Sequence, residues 1–345
     1  MGNVINLEHY QFGPAAVFDN ARFAQGDLGI AIEPSFRIAR GERVLVMGSC
    51  FARRVGEVLR ALGFEASDGG LNFKYNAFAM LQEVRWCLEG GFGPAQILCA
   101  PDGRWLNPHR NPARFQKTRA EVLDVHLTAQ RTAAQLVRDC DLVVLTYGLI
   151  EAWFDKVCNL YTNEAPPLAS MESWKQRFEL RQTTHAQNLA AMLDLVRLVR
   201  RANPRARFLA SVSPVPLKAT FCGPDVLVSN CVSKSTLRAA LHEALAQLKS
   251  EGVTIDYFPS YEIVTLAPQR EDAWRAVAPD GQSDGRHVRD DFVARTIMQA
   301  FLRAYVEQDA RHADAPQLQL ADAPSIAPSG AGRARPVLET LGTLP

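Results

Sequence analysis

Short continuous apolar runs alternate along this chain with longer stretches whose apolar positions recur every three or four residues. Arg43 to Met47 (RVLVM) is a β-rich run that stops at Gly48, and from Phe51 onward Val55, Val58, Leu59 and Leu62 share one helical stripe. This spacing predicts a strand, a tight turn and a helix. A second helix is predicted over about Ala77 to Leu88. Ile97 to Asn107 reads as a β-hairpin with Asp102-Gly103 at its tip. An amphipathic stretch near Thr118 to Val137 precedes a second buried strand, Asp141 to Tyr147 (DLVVLTY), which a turn at Gly148 ends. Ser173 to Arg201 carries a long helical pattern that stops before Asn203-Pro204. Arg207 to Val212 is a third buried strand, Ser233 to Lys249 a helix, Val253 to Phe258 a fourth strand and Val288 to Tyr305 a final helix.

Strands that alternate with helices predict an α/β fold: a three-layer α/β/α sandwich with a mainly parallel sheet and helices on both faces. In such sheets ligands bind outside the carboxyl ends of the strands. The positions to inspect are therefore Gly48-Ser49-Cys50, Gly148 to Trp153, Ser213-Pro214-Val215 and Ser260-Tyr261-Glu262.

Composition narrows the class. The 345 residues, 47% hydrophobic and 22% charged, exclude collagen-like, disulfide-dense and fully disordered chains. Lys+Arg of 38 against Asp+Glu of 37 leaves a formal charge of +1, so no whole-chain field draws the protein to nucleic acid, and no nucleic-acid partner is expected. The N-terminus lacks a basic segment followed by an apolar core, and the longest apolar run, Leu142 to Ile150, is about half of what a bilayer requires. No stable membrane insertion and a cytoplasmic location are expected. The seven cysteines are odd in number and scattered, with no C-x-x-C pair, which argues against a disulfide framework and a zinc site; most read as small core residues. No Walker-type phosphate loop is present and no cofactor is expected. Residues 1–42 read as an N-terminal extension, 43–307 as the main domain with the hairpin near 96–107 as an insertion, and 308–345 as a disordered Ala/Pro-rich tail.

Ser49 lies between a strand end and a helix start, where its hydroxyl can either cap the helix or face a pocket as a nucleophile. Position alone favours the cap. Asp284-Gly285-Arg286-His287 precedes the last helix, and a carboxylate three residues before a histidine can orient it as a base; Asp/Gly/Arg-rich turns are also common exposed loops. Cys50 is an alternative nucleophile, but successive residues at a helix start point about 100° apart, so only one of Ser49 and Cys50 can face His287. His109 reads as a loop residue, and His185 and His242 as helix-surface residues.

VLVMGSCFARRVGEVL, with Gly48-Ser49-Cys50-Phe51-Ala52 at its centre, resembles the signature of the GSCFA domain family, which is related to SGNH or GDSL-type hydrolases. The resemblance continues through LNFKYNAFAMLQEVRW, LTYGLIEAWFD, SVSPVPLKATF, SKSTLRAAL, YFPSYEIV and the Asp284-x-x-His287 pair, from about Arg43 to Phe301. It implies a flavodoxin-like sheet with a triad in which Ser49 is the nucleophile, His287 the base and Asp284 its orienter. It also implies an oxyanion hole made by the backbone N–H of Ser49, a glycine N–H and an asparagine amide. The chain departs from that pattern at Gly148-Leu149-Ile150-Glu151, where the asparagine is absent and an ionised Glu151 has no proton to give. Gly148 is the candidate glycine donor and Asn76 the candidate substitute amide, with a turn-forming role for Asn76 equally open. Tyr75, Glu151 and Trp153 are candidate substrate-binding residues. The implied function is ester hydrolysis or O-acyl transfer on an acylated carbohydrate or related small metabolite. The alternative is a binding module that keeps the fold without turnover.

Overall fold

The computed structural model describes residues 22–23, 28–71, 73–100, 102–110, 115–166, 175–223, 225–267, 270–276 and 285–306. The strands are β1 (Arg43–Gly48), β2 (Glu65–Ser67), β3 (Leu98–Cys99), β4 (Trp105–Leu106), β5 (Leu142–Tyr147), β6 (Glu151–Asp155), β7 (Leu160–Tyr161), β8 (Phe178–Gln182), β9 (Arg207–Val212) and β10 (Ile255–Tyr257). The helices are α1 (Cys50–Ala61), α2 (Ala77–Glu89), α3 (Arg119–Asp139), α4 (His185–Ala202), α5 (Val226–Ser250), α6 (Ser260–Thr265), α7 (Arg270–Ala273), α8 (Asp290–Phe292) and α9 (Met298–Tyr305). A π turn, Val293–Ile297, joins the last two.

Five strands form a parallel sheet in the order β10-β9-β5-β1-β2. Residues of β1, β5 and β9 alternate between two apolar clusters. Leu45, Met47, Val143, Leu145, Phe208 and Ala210 pack with α2, α4 and α5. Val44, Val46, Leu142, Val144 and Leu209 pack with α1 and with Ile297 and Phe301 near the C-terminal end. Helices therefore cover both faces, as continuous apolar strands require, and each fully buried Val, Leu or Ile contributes about 1.5–3 kcal/mol. The winding reverses between β1 and β5, so their carboxyl ends open the crevice where such sheets bind ligands. The chain before β1 joins the second cluster: Ile38 is fully buried, and Ser35 donates from its N–H and hydroxyl to the Asp256 carboxylate at 2.8 and 2.9 Å. Among the described residues no helix is long and apolar enough to cross a membrane.

Several expectations are corrected. The pattern read as one helix from Ser173 to Arg201 holds a strand first, and Ser173 itself lies outside the described residues. Phe178 and Leu180 alternate with Glu179 and Arg181 at the period of a strand, and β8 pairs antiparallel with β6; α4 begins only after Thr184, whose hydroxyl caps it in a reciprocal bond with Gln187. With β7, β6 and β8 make a three-stranded antiparallel sheet. α5 starts at Val226 instead of Ser233, because the Asp225 carboxylate accepts the N–H groups of Leu227 and Val228. Of the seven cysteines, all free, only Cys140 is fully buried, and Cys99, Cys222 and Cys231 are exposed. The Ala/Pro-rich segment lies outside the described residues.

Candidate active site

The end of β1 passes so close to β5 that a Cβ on Gly48 would sit 2.5 Å from the Thr146 carbonyl oxygen, and its φ of +152° is one that side chains disfavour. Glycine there delivers Ser49 to the start of α1. The Ser49 hydroxyl accepts the Phe51 N–H at 3.2 Å, so it does cap the helix, and it donates to Ser213 Oγ at 2.9 Å beyond the end of β9. A cavity of about 540 Å³ opens at this point, lined in part by Ser49, Tyr75, Gly148, Glu151, Trp153 and His287. The fold thus brings Ser49 and His287, read from opposite ends of the sequence, to one cavity. His287 is half-buried and its carbonyl accepts the Arg275 N–H. Asp284 lies outside the described residues.

Two of the three expected oxyanion donors are engaged elsewhere. Asn76 is buried as the N-cap of α2; its Oδ1 accepts the Ala79 N–H at 2.8 Å, its Nδ2 donates to the Thr162 carbonyl at 3.1 Å, and it does not line the cavity. Of the two roles open to Asn76, the structure shows the cap. The Gly148 N–H donates to the Tyr75 carbonyl at 2.9 Å, as does that of Leu149 at 3.1 Å. A Cβ on Gly148 would lie 2.7 Å from the Tyr75 oxygen, so glycine serves this close approach. The Ser49 backbone N–H stays the candidate donor.

The candidate substrate-binding residues all line the cavity. Burial first, and Glu164 next, push the Tyr75 phenol up, so it stays protonated. Glu151 holds a wall in place: its carboxylate accepts the Thr220 hydroxyl at 2.5 Å and the Phe221 N–H at 3.1 Å. Trp153 meets the Phe221 ring edge-on at 5.7 Å. Cys50 also lines the cavity, and burial raises its pKa, which keeps it a thiol.

Other residues at the site were not singled out by sequence. Lys234, fully buried, donates from Nζ to the carbonyls of Gly148 at 2.6 Å and Val215 at 2.8 Å, tying the segment after β5 to the segment after β9. Burial brings its pKa down to about 7. Asn163 accepts the Tyr75 N–H at 2.9 Å and donates to the Phe73 carbonyl at 2.8 Å, holding a chain segment that lines the cavity. Arg53 and Arg286 line the cavity as well; their positions, one turn after Ser49 and next to His287, were signals available in the sequence. Lys234 and Asn163 carried no such signal, because only the tertiary fold reveals the carbonyls that they meet.

His109, Asp155 and Cys158 bring ligand-type atoms within 4.8 Å of one another. His109, read as a loop residue, lies in a turn and is fully buried there. A cation already fills the place: Arg177 Nη2 lies 2.6 Å from Asp155 Oδ2 and 3.1 Å from Cys158 Sγ. A metal ion would have to displace that guanidinium.

A parallel α/β sheet opens a cavity at its reversal point, and a serine and a histidine lie on its lining. The GSCFA family model matches residues 43–301, and the chain belongs to the GSCFA family. No curated protein matches the sequence. Among solved structures, a carbohydrate esterase family 2 enzyme with a carbohydrate-binding domain, from Corynascus thermopiles (Myceliophthora fergusii), matches at 17% identity with a TM-score of 0.25. The match covers 48% of this chain and 37% of that one, so the chain spans well under half of the neighbour's length.

Proposed function

We propose that the protein is a serine-dependent ester hydrolase or O-acyltransferase of the SGNH type, acting on an acylated carbohydrate or related small metabolite. The observation that carries this reading is that Ser49 and His287 line one cavity at the carboxyl ends of β1 and β5. In this mechanism His287 takes the Ser49 proton as Oγ attacks the acyl carbon, and Asp284 orients the imidazole. The Ser49 N–H stabilises the oxyanion. His287 then returns the proton to the departing alkoxide, leaving an acyl-enzyme that water or an acceptor hydroxyl resolves. The hydrogen bond to Ser213 fixes the Ser49 rotamer before substrate arrives. Tyr75, Trp153 and Phe221 supply aromatic walls of the kind that stack on sugar rings.

The test is hydrolysis of a small chromogenic acetate. Ser49→Ala and His287→Gln are each expected to lower the rate by about a thousandfold or more, and Ser213→Ala by about tenfold. Rates near wild type for Ser49→Ala would remove the nucleophile and the mechanism with it.

One observation favours a second reading, a ligand-binding module without useful turnover. The Gly148 N–H and the Asn76 amide are both spent on backbone carbonyls, and each absent oxyanion donor costs about 3–4 kcal/mol of transition-state stabilisation. The same assay separates the two, because a binding module leaves the acetate at its background rate.

A further inference from the structure

The cavity over Ser49 is far larger than a two-carbon acyl group needs, since about 540 Å³ is the volume of a site for a whole drug-sized ligand. Its walls decide what can fill it. The loop after β9 starts at the nucleophile, where Ser49 Oγ donates to Ser213 Oγ at 2.9 Å. It ends on the antiparallel sheet, where the Glu151 carboxylate accepts from Thr220 and Phe221 and the Phe221 ring meets Trp153 at 5.7 Å. Val215, Pro216 and Leu217 lie between these two anchors and line the cavity, so an apolar wall leads from Ser49 toward the sheet. Val215 and Leu217 are each 8% exposed, which makes them wall and not outer surface. Lys218, the charged residue of this stretch, is exposed and can keep its ammonium in water.

The sheet supplies the other side. Leu180 on β8 is the register partner of Trp153 on β6, residues directly opposite in an antiparallel pair share a face, and both line the cavity. Glu151 is the polar residue that β6 and β8 bring to the cavity, and both its oxygens are occupied by Thr220 and Phe221. These walls are also fixed from behind by one face of α5. Asn230 Oδ1 accepts the Leu217 N–H at 3.1 Å, Ser233 Oγ accepts the Ile150 N–H at 3.0 Å, and Lys234 holds the Gly148 and Val215 carbonyls. A sugar ring between Val215, Leu217 and Leu180 would bury hydroxyls without partners. An alkyl chain there gives up only its unfavourable contact with water.

We propose that the cavity is an acyl-chain pocket: the acyl group of the substrate is an apolar chain longer than acetyl, which runs from Ser49 between Val215 and Leu217 on the loop and Leu180 on the sheet. This deepens the acyl-transfer reading and rests on it for the role of Ser49; the binding of an alkyl chain by these walls does not depend on turnover.

The test is kcat/KM of the full chain on p-nitrophenyl acetate, butyrate, hexanoate and octanoate, each below its micelle-forming concentration, together with calorimetric titration of Ser49→Ala with acetate and with octanoate. The expected kcat/KM rises about threefold or more for each added methylene until the pocket is filled. Octanoate is expected to bind about tenfold or more tightly than acetate. Leu180→Trp and Leu217→Trp fill the space and should each lower the octanoate-to-acetate ratio of kcat/KM about tenfold or more. A ratio measured on one preparation does not depend on how much of it is folded, so a destabilised variant still reports. Leu266→Trp, at an exposed leucine outside the cavity lining, should leave the ratio as in wild type. A flat series, a maximum on acetate, equal binding of acetate and octanoate, or a ratio that neither Leu180→Trp nor Leu217→Trp changes would overturn the proposal. If no ester is hydrolysed while octanoate still binds in preference to acetate and Leu217→Trp removes that preference, the acyl-transfer reading falls and the pocket stands. Hydrolysis that depends on Ser49 but favours acetate removes only the pocket.

Discussion

Two groups of ionisable side chains in this molecule look alike as residue lists and differ in what they can do. Around Asp155, which is fully buried, every charge has an answer. Arg177 reaches both carboxylate oxygens, at 2.9 and 2.6 Å, His109 Nε2 is 3.2 Å away, and the N–H groups of Val157 and Cys158 also donate to it. Burial alone would raise the Asp155 pKa, but hydrogen bonds from His109 and Arg177 outweigh it and hold the carboxyl below its usual range. Around Ser49 the groups instead border open space, and Arg53 keeps unspent donors. The first cluster stabilises a fold; the second can receive a ligand. The difference lies in satisfaction and access, not in residue type.

The largest expected effect is in the closed cluster. Asp155→Ala leaves the Arg177 guanidinium without its carboxylate and should cost about 3–5 kcal/mol of unfolding free energy, measured by urea denaturation. The stability from a depressed carboxyl pKa is present above the unfolded value near 3.9 and is lost as pH falls through it toward the lower folded value. The advantage of wild type over Asp155→Asn should therefore shrink below about pH 4. A loss under about 1 kcal/mol would show that the cluster is not the closed unit described.

Lys234 sharpens the contrast, since it is a buried cation on the cavity side. Its folded pKa, about 7, lies below the ordinary lysine value, so between the two the unfolded chain binds more protons and stability rises with pH. Relative to Lys234→Met, wild type should gain up to about 1.4 kcal/mol per pH unit between roughly pH 7 and 10. Parallel pH profiles for the two proteins would contradict this. A smaller effect is expected at Asn76: Asn76→Ala should cost about 1–2 kcal/mol of stability as a lost cap and leave ester turnover within about threefold of wild type. A hundredfold fall in turnover would restore it as an oxyanion donor. Smallest is Glu151→Gln, which keeps an acceptor for Thr220 and should change stability by under about 1 kcal/mol, read as a melting-temperature shift.

The parallel sheet was legible because β1, β5 and β9 are continuous apolar runs that end in Gly or Ser-Pro, a pattern few alternatives share. The antiparallel sheet was not. LIEAWFD follows a strand directly, and FELRQ sits beside a strong helical pattern, so their pairing depends on a register that no local spacing reveals. The positions of Ser49 and His287 followed from strand ends and from the motif order. For Asn76 and Gly148 the sequence left the hydrogen-bond partner open for one physical reason: residue type names a donor, but only the fold decides which carbonyl takes its proton. The Thr162 and Tyr75 carbonyls do so here.

The most direct measurement is intact-mass analysis of the full chain after incubation with a fluorophosphonate probe. The account predicts one adduct, mapped by peptide sequencing to Ser49, absent in Ser49→Ala, strongly slowed in His287→Gln and retained in Asp155→Asn. No adduct on folded wild-type protein, or an adduct that persists in Ser49→Ala, would contradict the assignment of Ser49 as a nucleophile activated by His287.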